Sequence, residues 1–386
     1  MRAIRVGLIG HKFMGRAHTH AYTDLPLFFD PGVDVVKKIL CANEPSVEAS
    51  ARRWGWEKWT LDWEELVADP EVDLVDIAAP SAIHAQVAIA AAKAGKHIFC
   101  EKPLALNLQD AEKMVQEARK AGVVTMIGFN YRRVPALALA RQLIQNGEIG
   151  EIFHFRGCYQ QSWLVDPGFP LAWRLRKAAA GYGSHGDLGA HVVDLARFLV
   201  GEIEEVCGFQ ETFIRRRPKP EYEDGLVAKA GKEMGEVDVD DASIFLARFR
   251  NRKTMGYFEM TRYGNGHRNQ NRIEVNGSKG SFIFDMERMN ELEVYFGSDP
   301  AHVQGFRRVQ VGEEVHPYMA NWFPAGHIIG YGDTFVNQAF DLISAIKEGK
   351  AASPDFTDGL KCQQILDAAD RSARSKRWEK VEGFGQ

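Results

Sequence analysis

No stretch of this sequence approaches about 18 unbroken apolar residues, and the apolar part of its opening, MRAIRVGLIGHKFMG, is too short for a secretory signal. Neither a membrane span nor export is expected, and a soluble cytoplasmic protein is. Cysteine is scarce. Cys41, Cys100, Cys158, Cys207 and Cys362 are odd in number and lack CxxC spacing, which argues against a disulfide framework and a thiolate zinc site. Positive charge is not in excess either: 48 Lys+Arg against 52 Asp+Glu leave a formal charge of -4 and no basic field for a phosphate backbone, so nucleic acid is not an expected partner. What remains is a chain of 386 residues, 45% hydrophobic, too apolar for disorder and too long for one core. Two domains are expected.

From Ala3 to about Gly150, short β-branched runs alternate with longer segments of helical period, the pattern of βαβ units around a parallel sheet. Strands are expected at 4–9, 35–41, 58–60, 74–78, 97–100 and 124–129. Asp62-Trp-Glu-Glu65 reads as a capping box, and Gly95 and Gly122 close helices that begin near Ile83 and after Asn107. Beyond Gly150 the alternation lengthens, with strands expected at 152–160, 206–214, 243–249, 254–261, 272–275 and 281–284 in a mostly antiparallel sheet. The expected fold class is α/β: a doubly wound parallel sheet over 1–130, then an α+β domain over 131–386. Phe245, Phe249, Tyr257 and Phe258 would leave much apolar area on an open sheet face, which predicts a homodimer or homotetramer through that face. The charged run 215–241 reads as a mobile loop, a lid or a solvated excursion.

The first strand runs into Gly7-Leu-Ile-Gly10-His-Lys-Phe-Met-Gly15, a turn that lets backbone N–H groups and a helix start meet a pyrophosphate. Lys12 stands where G-x-G-x-x-G has its second glycine. At the end of the second strand the usual acid is replaced by Ala42-Asn43-Glu44. Glu44 would take the ribose hydroxyls and repel a 2′-phosphate, so NAD is favoured while NADP stays open.

Three more stretches follow: Ala79-Pro80-Ser81-Ala82-Ile83-His84, Cys100-Glu101-Lys102-Pro103, and Asp187-Leu-Gly189-Ala-His191-Val-Val-Asp194. In order and spacing they resemble the P-x-x-x-H, E-K-P and D-x-G-x-H-x-x-D motifs of the Gfo/Idh/MocA oxidoreductase family, over nearly the whole chain. The resemblance implies a Rossmann domain, a final helix returning to it, and catalytic Lys102, Asp187 and His191. It also implies coenzyme contacts at Gly10, Phe13, Met14, Gly15, Pro80, His84, Glu101 and Asn130, with Trp173-Arg174 near the nicotinamide.

The residues themselves allow the same chemistry. Glu101-Lys102 leaves a buried strand at the carboxyl end of a parallel sheet, where ligands lie, and the 102–103 bond is one that can be cis. Glycines 181, 183, 186 and 189 surround Asp187, which suggests close approach of another molecule, and 187, 191 and 194 share a helix face. Oxidising a secondary alcohol needs a proton acceptor and a charge for the developing oxyanion: neutral His191 suits the first, cationic Lys102 the second, and Asp187 orients the hydroxyl. A metal reading lacks a third ligand, and none is expected. Tyr131, Gln161, Trp163 and His327 are the polar-aromatic residues expected to read a sugar. The loop around Trp322 and His327 is similar to that of family members acting on levoglucosan or 3-keto-glycosides. The expected activity is NAD(P)-dependent hydride transfer from a sugar, anhydrosugar or inositol. A sugar sensor without turnover and an NADPH-dependent keto-sugar reductase are the alternatives.

Overall fold

The computed structural model describes residues 3–224, 227–250 and 253–383. It divides the chain into two compact units, Met1–Asn130 with Gly330–Leu360, and Tyr131–Ile329 with Lys361–Gln386.

The first unit carries six parallel strands, β1 (Ala3–Ile9), β2 (Asp34–Cys41), β3 (Lys58–Thr60), β4 (Leu74–Ile77), β5 (His97–Cys100) and β6 (Thr125–Ile127), in the order β3-β2-β1-β4-β5-β6. Chain order reverses between β1 and β4, the topological switch point at which such sheets bind dinucleotides. β4 is buried at every position, as a strand covered on both faces must be. The crossover helices form where the punctuation placed them: Asp62 caps Trp63–Ala68 by accepting from the Glu64 N–H, Asn107 caps Leu108–Ala121 through the Asp110 N–H, and Gly122 closes it at φ 66°. The Gly330–Leu360 segment completes this unit at β6. Gln338 donates to the Ile127 carbonyl at 2.9 Å, and Asn130 donates to Thr334 Oγ1 at 2.8 Å.

The second unit adds β7 (Ile152–Gln160), β8 (Ile203–Glu211), β9 (Arg216–Asp224), β10 (Val227–Glu236), β11 (Ala242–Phe249), β12 (Met255–Thr261), β13 (Gln270–Gly277), β14 (Gly280–Asp285), β15 (Glu291–Phe296), β16 (Arg307–Gln310) and β17 (Glu379–Lys380). All but β9 and β10 form one nine-stranded sheet, β16-β15-β14-β13-β7-β12-β11-β8-β17, antiparallel except where β12 runs parallel to β7. Alternation is strict on β11 and β12, so one face packs a core and the other does not.

Two expectations are corrected here. The charged run 215–241 is not an irregular loop: β9 and β10 pair as an antiparallel hairpin, with residues 225–226 outside the described set. Most of its charges stay solvated on two strands that pair with each other, but Arg217 is buried. Phe245, Phe249 and Phe258 lie on the inner face at 1% exposure or less, so they are core; of the four only Tyr257 lies on the open face, beside Phe209, Leu246 and Met255. A one-residue change of parity moves a side chain to the opposite face of a sheet.

Candidate active site

In the first unit the expected coenzyme residues gather at the carboxyl ends of the strands. Gly10 follows β1 at φ 110°, and its Cβ would meet the Ala78 carbonyl oxygen at 2.4 Å. A Cβ on Gly15 would stand 2.0 Å from the Gly10 carbonyl oxygen. Both positions therefore require glycine, and the helix Phe13–Phe28 starts tight against the turn with no side-chain cap from Lys12, so its first N–H groups point to where an anion would lie. This cradle fits a pyrophosphate even with Lys12 in place of a glycine. Phe13 is half exposed, and its ring lies parallel to that of Tyr331 at 6.2 Å. Met14 is half-buried at the same helix start, and Pro80 is exposed after β4.

Beyond β2, Asn43 is exposed and the Glu44 carboxylate is held by Lys12 Nζ at 2.6 Å and His11 Nε2 at 3.2 Å. The residue that breaks the glycine pattern thus anchors the acid expected to read the ribose.

Lys102 follows β5, half-buried, and its bond to Pro103 is cis. Two neighbours expected at the coenzyme surface lie beneath it instead. His84 is 1% exposed, its Nδ1 3.0 Å from the Pro103 carbonyl and its Nε2 2.9 Å from that of Ala79, so it sits between the two turns; burial pulls its pKa below the ordinary imidazole value, and the neutral ring donates to one of the two carbonyls. Glu101 is 4% exposed and meets His18 Nε2 at 3.1 Å. His18 Nδ1 is 2.8 Å from Asp76, which also accepts from the Tyr22 hydroxyl at 2.7 Å. Burial alone would lower the His18 pKa; the Asp76 charge and hydrogen bonds to both carboxylates override it and raise it to about 10. His84 and Glu101 support the Lys102 loop from inside: Glu101 turns inward beside the residue that the strand end delivers, and His84 approaches the Pro103 carbonyl from the helix His84–Lys93. Asn130, 2% exposed, likewise bonds inward to Thr334.

In the second unit the D-x-G-x-H-x-x-D stretch is split at Leu188 into the helices Ser184–Asp187 and Gly189–Leu199. Its polar residues take separate partners. Arg262 donates to Asp187 Oδ2 at 2.8 Å, His191 stacks on Tyr131, and Asp194 forms a buried pair with Arg132, whose Nε lies 2.8 Å from Oδ2. Asp194 is therefore structural. The surrounding glycines also answer to the protein's own packing: a Cβ at Gly183 would strike the Asp240 carbonyl oxygen, and one at Gly186 the Tyr182 Cβ. Asp240 accepts from the Gly183 N–H, the Ser184 hydroxyl and the His185 N–H, which fixes the start of this helix.

Around Asp187 and His191 the expected sugar readers form one line. The Tyr131 ring lies 4.4 Å from that of His191 at 27°; its hydroxyl is 2.7 Å from that of Tyr159, which donates to Asn269 Oδ1 at 2.8 Å. Gln161 Nε2 donates to the same oxygen at 2.8 Å, and Trp163 Nε1 donates to Gln161 Oε1 at 2.8 Å. Arg262, wholly buried, closes the circuit over the Trp163 ring at 5.3 Å. Arg174 lies over Trp173 at 4.2 Å; burial lowers its pKa below the ordinary guanidinium value against the pull of Asp187 and Glu223. The loop bearing Trp163 has its own apolar cluster, Leu164, Leu171, Leu175 and Val239. Arg217, from the β9–β10 hairpin, is buried beneath it and donates to the Asp166 carbonyl at 2.8 Å and the Tyr263 hydroxyl at 2.6 Å. Glu223 of the same hairpin accepts from the Trp173 N–H at 2.7 Å. The segment expected as a mobile loop, lid or solvated excursion is bonded to this loop through Arg217 and Glu223.

His327 does not join this line. It is exposed, and its Nδ1 lies 2.8 Å from the Pro324 carbonyl. The sequence signals passed over Tyr159, Asn269, Arg262 and Arg217, the first because an inward strand position reads as core, Arg217 because it stands in a charged run, and Asn269 and Arg262 because isolated polar residues read as surface. Among the described residues no group of three His, Cys, Asp or Glu could hold a metal, and no helix is long and apolar enough to cross a membrane.

Residues 4–129 match the oxidoreductase family model with an NAD-binding Rossmann fold, and residues 137–283 match the GFO/IDH/MocA C-terminal domain. The chain is 44% identical to levoglucosan dehydrogenase of Pseudarthrobacter phenanthrenivorans, over 99% of each chain. Among solved structures it is similar to levoglucosan dehydrogenase in complex with NADH and levoglucosan, with a TM-score of 0.94 and 42% identity over 99% of this chain and 100% of that one. An oxidoreductase domain protein from Kribbella flavida gives a TM-score of 0.95 at 47% identity, with the same coverage. The motifs, the strand order and these likenesses agree, and the chain belongs to the Gfo/Idh/MocA family of NAD-binding oxidoreductases.

Proposed function

We propose that the protein oxidises a ring secondary alcohol of a sugar or anhydrosugar, levoglucosan first among them, to the corresponding ketone. The observation that carries the reading is the line from His191 through Tyr131, Tyr159 and Asn269 to Gln161 and Trp163, because it joins a proton acceptor to an aromatic and amide surface suited to a sugar. The identity to levoglucosan dehydrogenase supports the choice of substrate.

When bound, the nicotinamide supplies the hydride acceptor. The rest falls to the chain. Gly10, Phe13, Met14 and Gly15 hold the pyrophosphate at a helix start, and Asn43 and Glu44 take the ribose. His191 accepts the hydroxyl proton. Its ring plane is set by the stacked Tyr131. Lys102 stabilises the oxygen as charge develops on it, an effect worth about 3 kcal/mol for a well-placed donor. Asp187, kept as an acceptor by Arg262, orients the hydroxyl. Trp173 and Arg174 border the nicotinamide and the substrate, and His327 reads the sugar from its exposed loop. His84, Glu101 and Asn130 shape the coenzyme surface from below. The protein works as a homodimer or homotetramer in the cytoplasm, covering the open face that exposes Phe209, Leu246 and Met255.

The test is NADH formation over a panel of levoglucosan, glucose, 3-hydroxyl derivatives of glucose and inositols. Tight NADH binding without turnover of any of these would replace the dehydrogenase by a sensor. Sedimentation of the protein as a monomer would end the assembly proposal alone.

A further inference from the structure

Asn269 has no part in the chemistry described so far, yet one of its atoms directs most of the hydrogen bonds in the sugar-reading line. The directions follow from a single group. The indole of Trp163 can only donate, so the Gln161 atom 2.8 Å from it is Oε1, and Nε2 faces Asn269. The Asn269 atom that receives Nε2 is then the carbonyl oxygen. Since that oxygen can only accept, the Tyr159 hydroxyl donates to it at 2.8 Å. The single Tyr159 proton is thereby committed, so in the 2.7 Å contact between the two hydroxyls Tyr131 is the donor. Its ring, held at the hydroxyl, is the one stacked on His191 at 4.4 Å.

The loop that carries Asn269 is anchored apart from this line. Glu287 Oε1 accepts from the N–H groups of Arg268 at 2.7 Å and Asn269 at 3.0 Å, and Glu287 itself extends from the end of β14. The oxygen thus has a fixed origin, and the two tyrosines and the glutamine are hung from it.

We propose that Asn269 is a positioning residue for the reaction: its Oδ1 sets both the plane of the His191 imidazole, through Tyr159 and Tyr131, and the face that Gln161 and Trp163 turn to the sugar. The inference rests on the reading of His191 as proton acceptor. Two variants separate the acceptor atom from the volume around it. Asn269→Asp retains an oxygen for both donors, whereas Asn269→Leu keeps the size and removes it.

Steady-state NADH formation on levoglucosan, NADH titration by fluorescence and thermal melting are measured for each variant. Asn269→Leu should lower kcat/KM for the sugar about tenfold or more, as loss of two partnered hydrogen bonds allows. Asn269→Asp should stay within about threefold of wild type, and the NADH dissociation constant of either should change by less than about twofold, since neither touches the cradle. Tyr159→Phe, which fills the same space without the donor, should lose activity through the same line, so that the double variant with Asn269→Leu is no worse than the poorer single one. It also serves if Asn269→Leu does not fold. Near-normal sugar kinetics in Asn269→Leu, equal damage in Asn269→Asp, or losses that multiply in the double variant would each overturn the proposal. Absence of NADH from the wild type with any sugar would overturn the functional reading and this inference together; wild-type turnover with an indifferent Asn269→Leu would overturn this inference alone.

Discussion

Replacing Gly15 by alanine puts the phosphate cradle to a quantitative test. The new Cβ would stand 2.0 Å from the Gly10 carbonyl oxygen and 2.6 Å from its carbonyl carbon, and because both are backbone atoms no rotamer relieves the overlap. Ordinary contact begins at 3.4 Å, so the helix start must withdraw from the turn by about 1.4 Å. Overpacking of this kind costs about 1–3 kcal/mol. The withdrawal also moves the helix N–H groups away from the place where a pyrophosphate would be held, so the two effects act together on the coenzyme. The NADH dissociation constant, measured by fluorescence titration, should rise about tenfold or more, since about 1.4 kcal/mol corresponds to a factor of ten. Gly95→Ala is the control: that glycine has φ 71° but nothing within 4 Å of its Cβ, so it should lower the melting temperature and leave NADH affinity alone. Wild-type NADH affinity in Gly15→Ala would refute the cradle, whatever its melting temperature.

Lys102→Ala should reduce kcat about a hundredfold or more with little change in NADH affinity, because the charge acts on the developing oxyanion; near-normal turnover would remove Lys102 from the chemistry. Glu44→Gln releases Lys12 and His11 from the carboxylate they hold at 2.6 and 3.2 Å and should strengthen NADPH binding about tenfold while weakening NADH. Unchanged affinities for both coenzymes would show that Glu44 does not face the ribose. His18, raised to about 10 in the folded protein, contributes stability that is complete below its ordinary value of about 6.5 and is lost as pH rises through about 10. The melting temperature should therefore fall between about pH 7 and pH 10, and His18→Gln should melt lower at neutral pH with a flatter profile over that window; parallel profiles would place the charge elsewhere.

The elements of the first unit were legible along the chain because their signals are local. β5 appears at the residues expected, His97–Cys100, and the caps at Asp62 and Asn107 and the stop at Gly122 act within a single turn of helix. β7 was equally clear, since period-two alternation over nine residues admits one reading. The hairpin at 215–241 was not, because charge density describes what faces water and says nothing of how backbone groups pair. The inward position of Phe245, Phe249 and Phe258 depended on sheet parity, which a strand read alone leaves undecided.

The same division runs through the site. Residue types at short spacing, Gly10 to Gly15, Glu101-Lys102-Pro103 and Asp187 to His191, determined the family, the coenzyme class and the candidate chemistry, because each motif needs only its own stretch of backbone to be recognised. Which of those side chains face outward was decided by tertiary structure: His84 and Glu101 turned inward to carbonyls and to His18, and Asp194 turned to Arg132. The partners that give the motif its geometry, Arg262, Tyr159 and Asn269, come from strands and loops many residues away. A hydrogen bond between distant segments is set by where folding brings them, and no local pattern records it.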